Sequence, residues 1–241
     1  MPPSMLATAL ALVRTILFQF AFYAGSLVLV PLALLGGTVM PSRLLFVGPW
    51  AWAGWFRLCS RWITGVRLQI DGTIPTGPHL FALKHESAYE AILTLWLFAR
   101  PAVVMKAELR RIPIWGAASA RHGSIFVDRA GSSAMLRAMM KAAAAASAAG
   151  RPVVIFPEGT RVAPGEQPPL AAGFAGLYKI LKLPVVPIAL DTGAAWPRSF
   201  IKYPGTVHMK IGETLAPGAP RGEIEAKVQQ AINALNLGVA R

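Results

Sequence analysis

The first seventy residues constrain the fold most, because they contain no aspartate or glutamate and include a long uncharged apolar stretch. Residues 15–35 form 21 consecutive positions without a charged side chain, and about 20 such residues let a helix cross the hydrocarbon core of a bilayer. Only Arg14 supplies charge before this stretch, and no small-residue cleavage motif stands out, so a cleaved signal peptide fits poorly. We expect an anchoring helix here, which either spans the membrane or dips into it and returns.

A second apolar stretch, residues 44–63, follows an interruption by Gly36, Gly37 and Pro41. It is rich in tryptophan and arginine, a combination typical of a helix that lies at the level of the lipid headgroups. Residues 1–65 are therefore predicted to form a two-helix membrane anchor. The alternative is a pair of helices buried in the core of the protein.

Composition supports contact with an anionic membrane surface. Hydrophobic residues make up 54% of the chain and charged residues only 15%, whereas about a quarter is charged in a typical soluble domain. The net charge of +13 favours anionic partners, but no basic run or zinc-ligand spacing indicates nucleic acid. The single cysteine, Cys59, rules out an intrachain disulfide and fits a reducing compartment. We expect membrane association at the cytoplasmic face of the inner or plasma membrane.

Beyond residue 65, short apolar runs alternate with helical patterns, which predicts an α/β domain over residues 66–241. The fold class expected is a mostly parallel central sheet flanked by helices. Strands are predicted at residues 66–70, 80–84, 102–106, 124–127, 153–156, 185–190 and 206–211. Helices are predicted over residues 88–98, 113–121, 132–149 and 170–181, with a last one carrying Ile224, Val228, Ile232 and Leu235 on one stripe.

His85 is the candidate general base, because it directly follows an apolar strand and precedes the carboxylate of Glu90 by five residues. A histidine oriented by a carboxylate titrates near working pH and can take a proton from a substrate. The alternative is structural, since Ser87 and Glu90 also fit a capping box at the start of the next helix. Both roles can coexist in the first helical turn.

Cations follow three other predicted strands, at the sheet edge where open α/β folds place their sites. They are Lys106, Arg129 and Arg161. Solvated charges and a simple turn are the plainer explanations. A phosphate-bearing substrate would explain why these cations accompany a histidine, because arginine forks match phosphate oxygens.

Other chemistries lack their sequence patterns. The chain has no second histidine at zinc-protease spacing, no nucleophile elbow, no Walker A loop and no dinucleotide-binding glycine motif. The four histidines and the cysteine are too scattered for a metal cluster. We therefore expect neither a metal nor a cofactor.

Four ordered blocks make the chain resemble the PlsC-like glycerolipid acyltransferases, the family of 1-acylglycerol-3-phosphate acyltransferases. The resemblance covers residues 66 to 215, and residues 85–90 are similar to the family's His-x4-Asp block. The other three blocks are residues 123–129, 156–161 and 185–190. Four blocks in this order are far more specific than any one of them.

The resemblance implies a role for each candidate residue. His85 would take the proton of a lysolipid hydroxyl, and Glu90 would hold its imidazole in the right tautomer. Three cations would clamp the acceptor's phosphate: Lys106, Arg129 and Arg161. Three neighbours would shape the pocket around its glycerol: Glu158, Gly159 and Thr160.

The implied activity is acyl transfer from acyl-CoA or an acyl-carrier protein to the free hydroxyl of a lysophospholipid. The expected acceptor is 1-acylglycerol-3-phosphate and the product phosphatidic acid. Two departures from the family pattern leave alternatives open: Glu90 replaces the usual aspartate, and residues 171–173 lack a frequent lysine. These alternatives are another acceptor, such as lyso-ornithine lipid, and a catalytically degenerate membrane lipid-binding protein.

Overall fold

The computed structural model describes residues 4–39, 44, 46–128 and 133–236, and it begins with a long apolar helix, α1 (Met5–Val39). This helix starts before the predicted stretch and continues past Pro31 and Gly36, so the glycine pair does not end it as expected. In the described part of the chain, α1 alone is long and apolar enough to cross a membrane. Most of its length carries exposed leucine, valine and phenylalanine side chains.

The second predicted helix is present as α2 (Val47–Cys59), followed by a π-helical turn, Ser60–Thr64. It packs against α1, since the Trp52 indole donates a hydrogen bond to the Ser26 hydroxyl at 2.9 Å. The two helices approach closely where Gly48 meets Ala33, and a Cβ at Gly48 would overlap the Ala33 side chain. With 13 residues, α2 is too short to cross a bilayer, which takes about 20.

Seven strands form one sheet in the order β1-β7-β6-β2-β5-β3-β4. All neighbouring pairs are parallel except β6 and β7, which are antiparallel. This confirms the predicted α/β class with a mostly parallel sheet. The strands are β1 (Val66–Asp71), β2 (Leu80–Leu83), β3 (Ala102–Lys106), β4 (Ile125–Val127), β5 (Val153–Ile155), β6 (Val185–Leu190) and β7 (Gly205–Ile211).

Six helices follow α2 in the described residues, and two short elements among the connections were not predicted. The unpredicted elements are a 3₁₀ turn, Ala107–Arg111, and a single helical turn, α7 (Thr192–Ala195). The other helices are α3 (Ala88–Leu97), α4 (Trp115–His122), α5 (Ser133–Ala148), α6 (Ala172–Leu181) and α8 (Arg221–Ile232).

Two hydrophobic cores lie on opposite faces of the sheet because successive strand side chains alternate in direction. Phe81 and Leu83 of β2 pack with α1, α2 and α3, whereas Leu80 and Ala82 pack with α5, α6 and α8. β2 is fully buried along its length. Side chains just beyond β2 therefore leave the sheet at its centre, between these two layers.

Candidate active site

His85 lies at the carboxyl end of β2, three residues before α3 begins. The turn is held by Ser87, the N-cap of α3, whose hydroxyl accepts a hydrogen bond from the Tyr89 N–H at 3.0 Å. The structure contains the capping box, with Glu90 as its second member. The capping role of Ser87 and Glu90 is thus real, and it accounts for the abrupt change from strand to helix.

Glu90 also contacts the histidine, so the two roles coexist. Its Oε1 atom lies 2.9 Å from His85 Nδ1 and accepts the backbone N–H groups of Glu86 and Ser87 at 2.8 and 2.7 Å. Oε2 accepts the Ser87 hydroxyl at 2.5 Å. The carboxylate is fully buried, and each of its oxygens has a donor. The extra methylene of glutamate is accommodated without losing the pairing with histidine.

The environment of Glu90 keeps it ionised. Burial by itself raises the pKa of Glu90, but the hydrogen bonds from His85 and Ser87 outweigh burial and hold that pKa below its ordinary value. Because an ionised carboxylate only accepts, the His85 proton resides on Nδ1. Nε2 has no hydrogen-bond partner in the part of the chain that the structure describes, so it is free to accept a proton from a substrate.

Phe156 packs against one face of the imidazole. The two rings stack with centroids 4.1 Å apart and an interplanar angle of 27°. The His85 side chain keeps 11% of its surface exposed. The Phe156 ring against one face and the buried carboxylate at Nδ1 fix the orientation of the imidazole. A positioned general base requires such a fixed orientation.

A buried ion pair lies directly behind His85. Lys84 Nζ contacts Glu158 Oε1 at 2.6 Å, and both side chains are fully buried. The ammonium also donates to the Glu166 carbonyl and the Asn233 amide oxygen, each at 2.8 Å. All three lysine donors are therefore satisfied, as a buried charge requires.

Glu158 connects this ion pair to the base. Its second oxygen, Oε2, accepts the backbone N–H of His85 at 3.0 Å, and the Val162 N–H donates to the His85 carbonyl at 2.7 Å. Glu158 was expected to shape a glycerol pocket, but both of its carboxylate oxygens bind protein groups. In this geometry Glu158 and the segment after β5 hold the His85 backbone in place.

The remaining predicted binding residues lie at the surface or outside the described residues. Gly159 adopts φ +73°, a conformation that favours glycine, and the next two side chains, Thr160 and Arg161, are exposed. Lys106 is exposed and pairs with Glu108 at 3.0 Å. Arg129 lies outside the described residues. Among the predicted cations, Arg161 is therefore the one that is exposed and has no paired carboxylate in the described part of the structure.

Glu86 was not singled out by sequence reasoning, yet it is buried beside the base. Its Oε2 accepts the Gly193 N–H of α7 at 2.7 Å, whereas Oε1 is buried without a hydrogen-bond partner in the described part of the structure. Burial raises the pKa of Glu86 to about 7, and the carboxylates of Glu90 and Asp191 add to that shift. The carboxyl group is therefore partly protonated near neutral pH.

Substitution of Glu86 tests its raised pKa, because that pKa makes the free energy of unfolding depend on pH. The native pKa of Glu86 is above its unfolded value, so its contribution to stability is present at low pH and lost as pH rises from about 4.5 to about 7. We expect wild-type stability to fall over that interval by on the order of 3 kcal/mol, and Glu86→Gln to remove this fall. Unfolding in detergent at several pH values measures it, and equal slopes in both proteins would contradict the assignment.

Comparison with known proteins identifies the family of this chain. The family model described as Acyltransferase matches residues 65–191. A 1-acyl-sn-glycerol-3-phosphate acyltransferase of Pseudomonas aeruginosa is 31% identical over 210 residues, which is 84% of this chain and 80% of that protein. An enzyme of the same name from Helicobacter pylori is 33% identical over 138 residues, 56% of this chain and 58% of that one.

A solved structure shares the fold. The crystal structure of the 1-acyl-sn-glycerophosphate acyltransferase PlsC from Thermotoga maritima matches with a TM-score of 0.75 over 95% of this chain and 99% of that chain, at 20% identity. The family model and the Pseudomonas relative define an enzyme of the acyl-transfer class. The chain belongs to the acyltransferase family, which confirms the resemblance found from the sequence.

Proposed function

We propose that the protein transfers an acyl chain from a thioester to the free hydroxyl of 1-acylglycerol-3-phosphate, forming phosphatidic acid. The observation that carries this proposal is the His85–Glu90 pair, in which Nδ1 is bound to a carboxylate and Nε2 has no partner within the described parts of the chain. The names of the relatives from Pseudomonas and Helicobacter support the acceptor. The donor is acyl-CoA or an acyl-carrier protein, both anionic and complementary to a chain of net charge +13.

The reaction follows from the protonation state of His85. As the acceptor oxygen attacks the thioester carbonyl, its proton moves to Nε2 and a tetrahedral oxyanion forms. Glu90 stabilises the resulting imidazolium through Nδ1. Collapse of the intermediate breaks the carbon–sulfur bond, and the proton on Nε2 passes to the departing thiolate. The products are the ester and a free thiol, and the enzyme returns to its starting state.

Membrane attachment by α1 fits a substrate that resides in a bilayer. The helix exposes leucine and phenylalanine side chains along its length, while residues 1–70 contain no acidic side chain. A basic, apolar segment of this kind favours an anionic leaflet such as the cytoplasmic face. Thiol release from purified protein, measured with both donors and a panel of lysolipids including lyso-ornithine lipid, tests the reaction and its acceptor together.

Arg161 is the residue on which acceptor recognition by phosphate depends most. Loss of a charge-assisted hydrogen bond costs about 1.5–3 kcal/mol, so we expect Arg161→Ala to raise KM for 1-acylglycerol-3-phosphate roughly tenfold to a hundredfold. Steady-state thiol release measures the change. Arg137→Ala on α5, also at an exposed arginine, is the matched control. An unchanged KM in Arg161→Ala would favour an acceptor without a phosphate.

A further inference from the structure

A second binding site is indicated by a cavity of about 540 Å³ between the first half of α1 and the segment that leads into β7. On the α1 side it is lined by Leu10, Ala11 and Arg14, and on the other side by Ala194, Tyr203 and Pro204. We call it the Arg14 cavity. Its volume lies in the range of small-ligand sites, about 300–1,000 Å³, and it combines apolar walls with one cation and one phenol.

Arg14 is a cation without a counter-charge. It is the one charged residue of α1, it is partly buried, and its guanidinium has no hydrogen bond or ion pair in the described residues. No carboxylate occurs within residues 1–70. A guanidinium has five donors in a planar fork, and the Arg14 donors that no protein group uses are available to an anion in the cavity. A phosphate is the anion that this fork matches with two bonds.

The surroundings of the Arg14 cavity indicate that this phosphate belongs to a lipid. Exposed apolar side chains flank Arg14 along α1, including Leu6, Leu10, Val13 and Leu17. Acyl chains can lie on this surface while the headgroup enters the cavity, where Tyr203 offers a second donor. A free phosphate would gain nothing from the apolar walls, whereas a glycerolipid uses both parts of the site.

Short elements of structure link the cavity to the base. The strands β6 and β7 separate it from β2, and at about 4.8 Å per strand β7 is roughly 10 Å from β2. Ala194 of the cavity wall follows Gly193, whose N–H is bound by Glu86 next to His85. His85 and α1 also lie on the same face of the sheet, since alternate side chains after Leu83 point to the α1 layer.

Lys202 provides a second connection, between α1 and the segment after β5. Thr15, beside Arg14, accepts the Lys202 backbone N–H at 2.9 Å. Burial, and after it the positive charge of Arg161, lowers the pKa of Lys202. The Lys202 ammonium itself is buried and donates to the Pro197 and Ser199 carbonyls. Arg161, which is exposed, is therefore the cation of this pair that an anionic headgroup can contact.

We infer that the Arg14 cavity is an entry site that binds the phosphate of a bilayer glycerolipid before the acceptor reaches His85. This inference rests on the proposed acyl transfer to a lysophospholipid. It assigns Arg14 and Tyr203 to substrate capture and not to chemistry. A lipid therefore leaves the bilayer along α1, is held by its phosphate, and moves along the sheet edge to the base.

The test compares Arg14→Gln with Arg67→Gln, which makes the same change of charge at an exposed position of β1. We expect Arg14→Gln to raise KM for vesicle-borne 1-acylglycerol-3-phosphate roughly tenfold, the effect of losing about 1.4 kcal/mol of binding, with kcat unchanged. Arg67→Gln should leave both constants unchanged. Equal effects of the two substitutions, or no effect of Arg14→Gln, would overturn the site.

Two further experiments distinguish a lipid phosphate from free phosphate, and the entry site from the proposed acyl transfer. Inorganic phosphate added to the wild-type assay should leave KM unchanged, and competition that disappears in Arg14→Gln would show a free-anion site in place of a lipid site. Flotation of the His85→Ala protein with vesicles of phosphatidylcholine, with or without phosphatidic acid, measures lipid binding without turnover. Loss of phosphatidic acid preference on adding Arg14→Gln supports the entry site even if no thioester is consumed, and retained preference contradicts it.

Discussion

His85→Ala is expected to lower kcat for thiol release by about 10²–10⁴-fold, the usual contribution of a positioned general base. The reason is geometric: Nδ1 of His85 is held by Glu90, whereas Nε2 has no hydrogen-bond partner among the residues that the structure describes. KM for either substrate should change little, because the imidazole is assigned to proton transfer and not to binding. Steady-state thiol release with each donor measures the effect.

Glu90→Gln is the matched comparison for His85→Ala. The amide keeps nearly the shape of the carboxylate but stabilises the imidazolium less, so kcat should fall by a smaller factor than in His85→Ala. Both variants should still bind vesicles, since neither residue lies in α1 or α2. A His85→Ala protein that keeps wild-type kcat would refute the mechanism and favour a lipid-binding protein without catalysis.

Lys84→Met should be the most destabilising single substitution near the site. It leaves the Glu158 carboxylate buried without its cation, and breaking a buried pair in this way costs about 3–5 kcal/mol. The Glu166 carbonyl and the Asn233 amide also lose their donor. Chemical unfolding in detergent, followed by tryptophan fluorescence, measures the loss.

A double variant separates stability from catalysis at this ion pair. Lys84→Met combined with Glu158→Leu removes both buried charges, so part of the stability should return. Activity should not return, because Glu158 Oε2 no longer accepts the His85 N–H and the base loses its backbone support. If the double variant recovers kcat together with stability, then the ion pair serves folding alone.

Sequence reasoning located the elements well because their patterns are local. β3 and β6 occupy the predicted residues, since each is an apolar run bounded by proline or by a charged residue. The predicted end of α1 was wrong. A helix packed against α2 tolerates the Gly36 region, which would end an isolated helix. The 3₁₀ turn and α7 are too short to show a period.

The site was predicted in part for the same reason. His85 and Glu90 are five residues apart, so a single turn decides whether they meet, and Ser87 indicated that turn. Glu158 was found from the sequence, but its contact with Lys84 was not, because 74 residues separate them. A lysine inside an apolar stretch was a usable signal, since a buried cation needs a partner.

The sequence by itself determined the α/β class, the long apolar helix and the His85–Glu90 pair, because each depends on periodicity or on neighbours within a short stretch of chain. Only the tertiary structure decided the sheet order, with β7 antiparallel to β6. It also decided that Lys84 turns to α8 and His85 to the α1 layer, on opposite faces of one sheet. The directions of these two side chains depend on which helices cover each face of the sheet. Such long-range packing cannot be predicted from a short stretch of sequence.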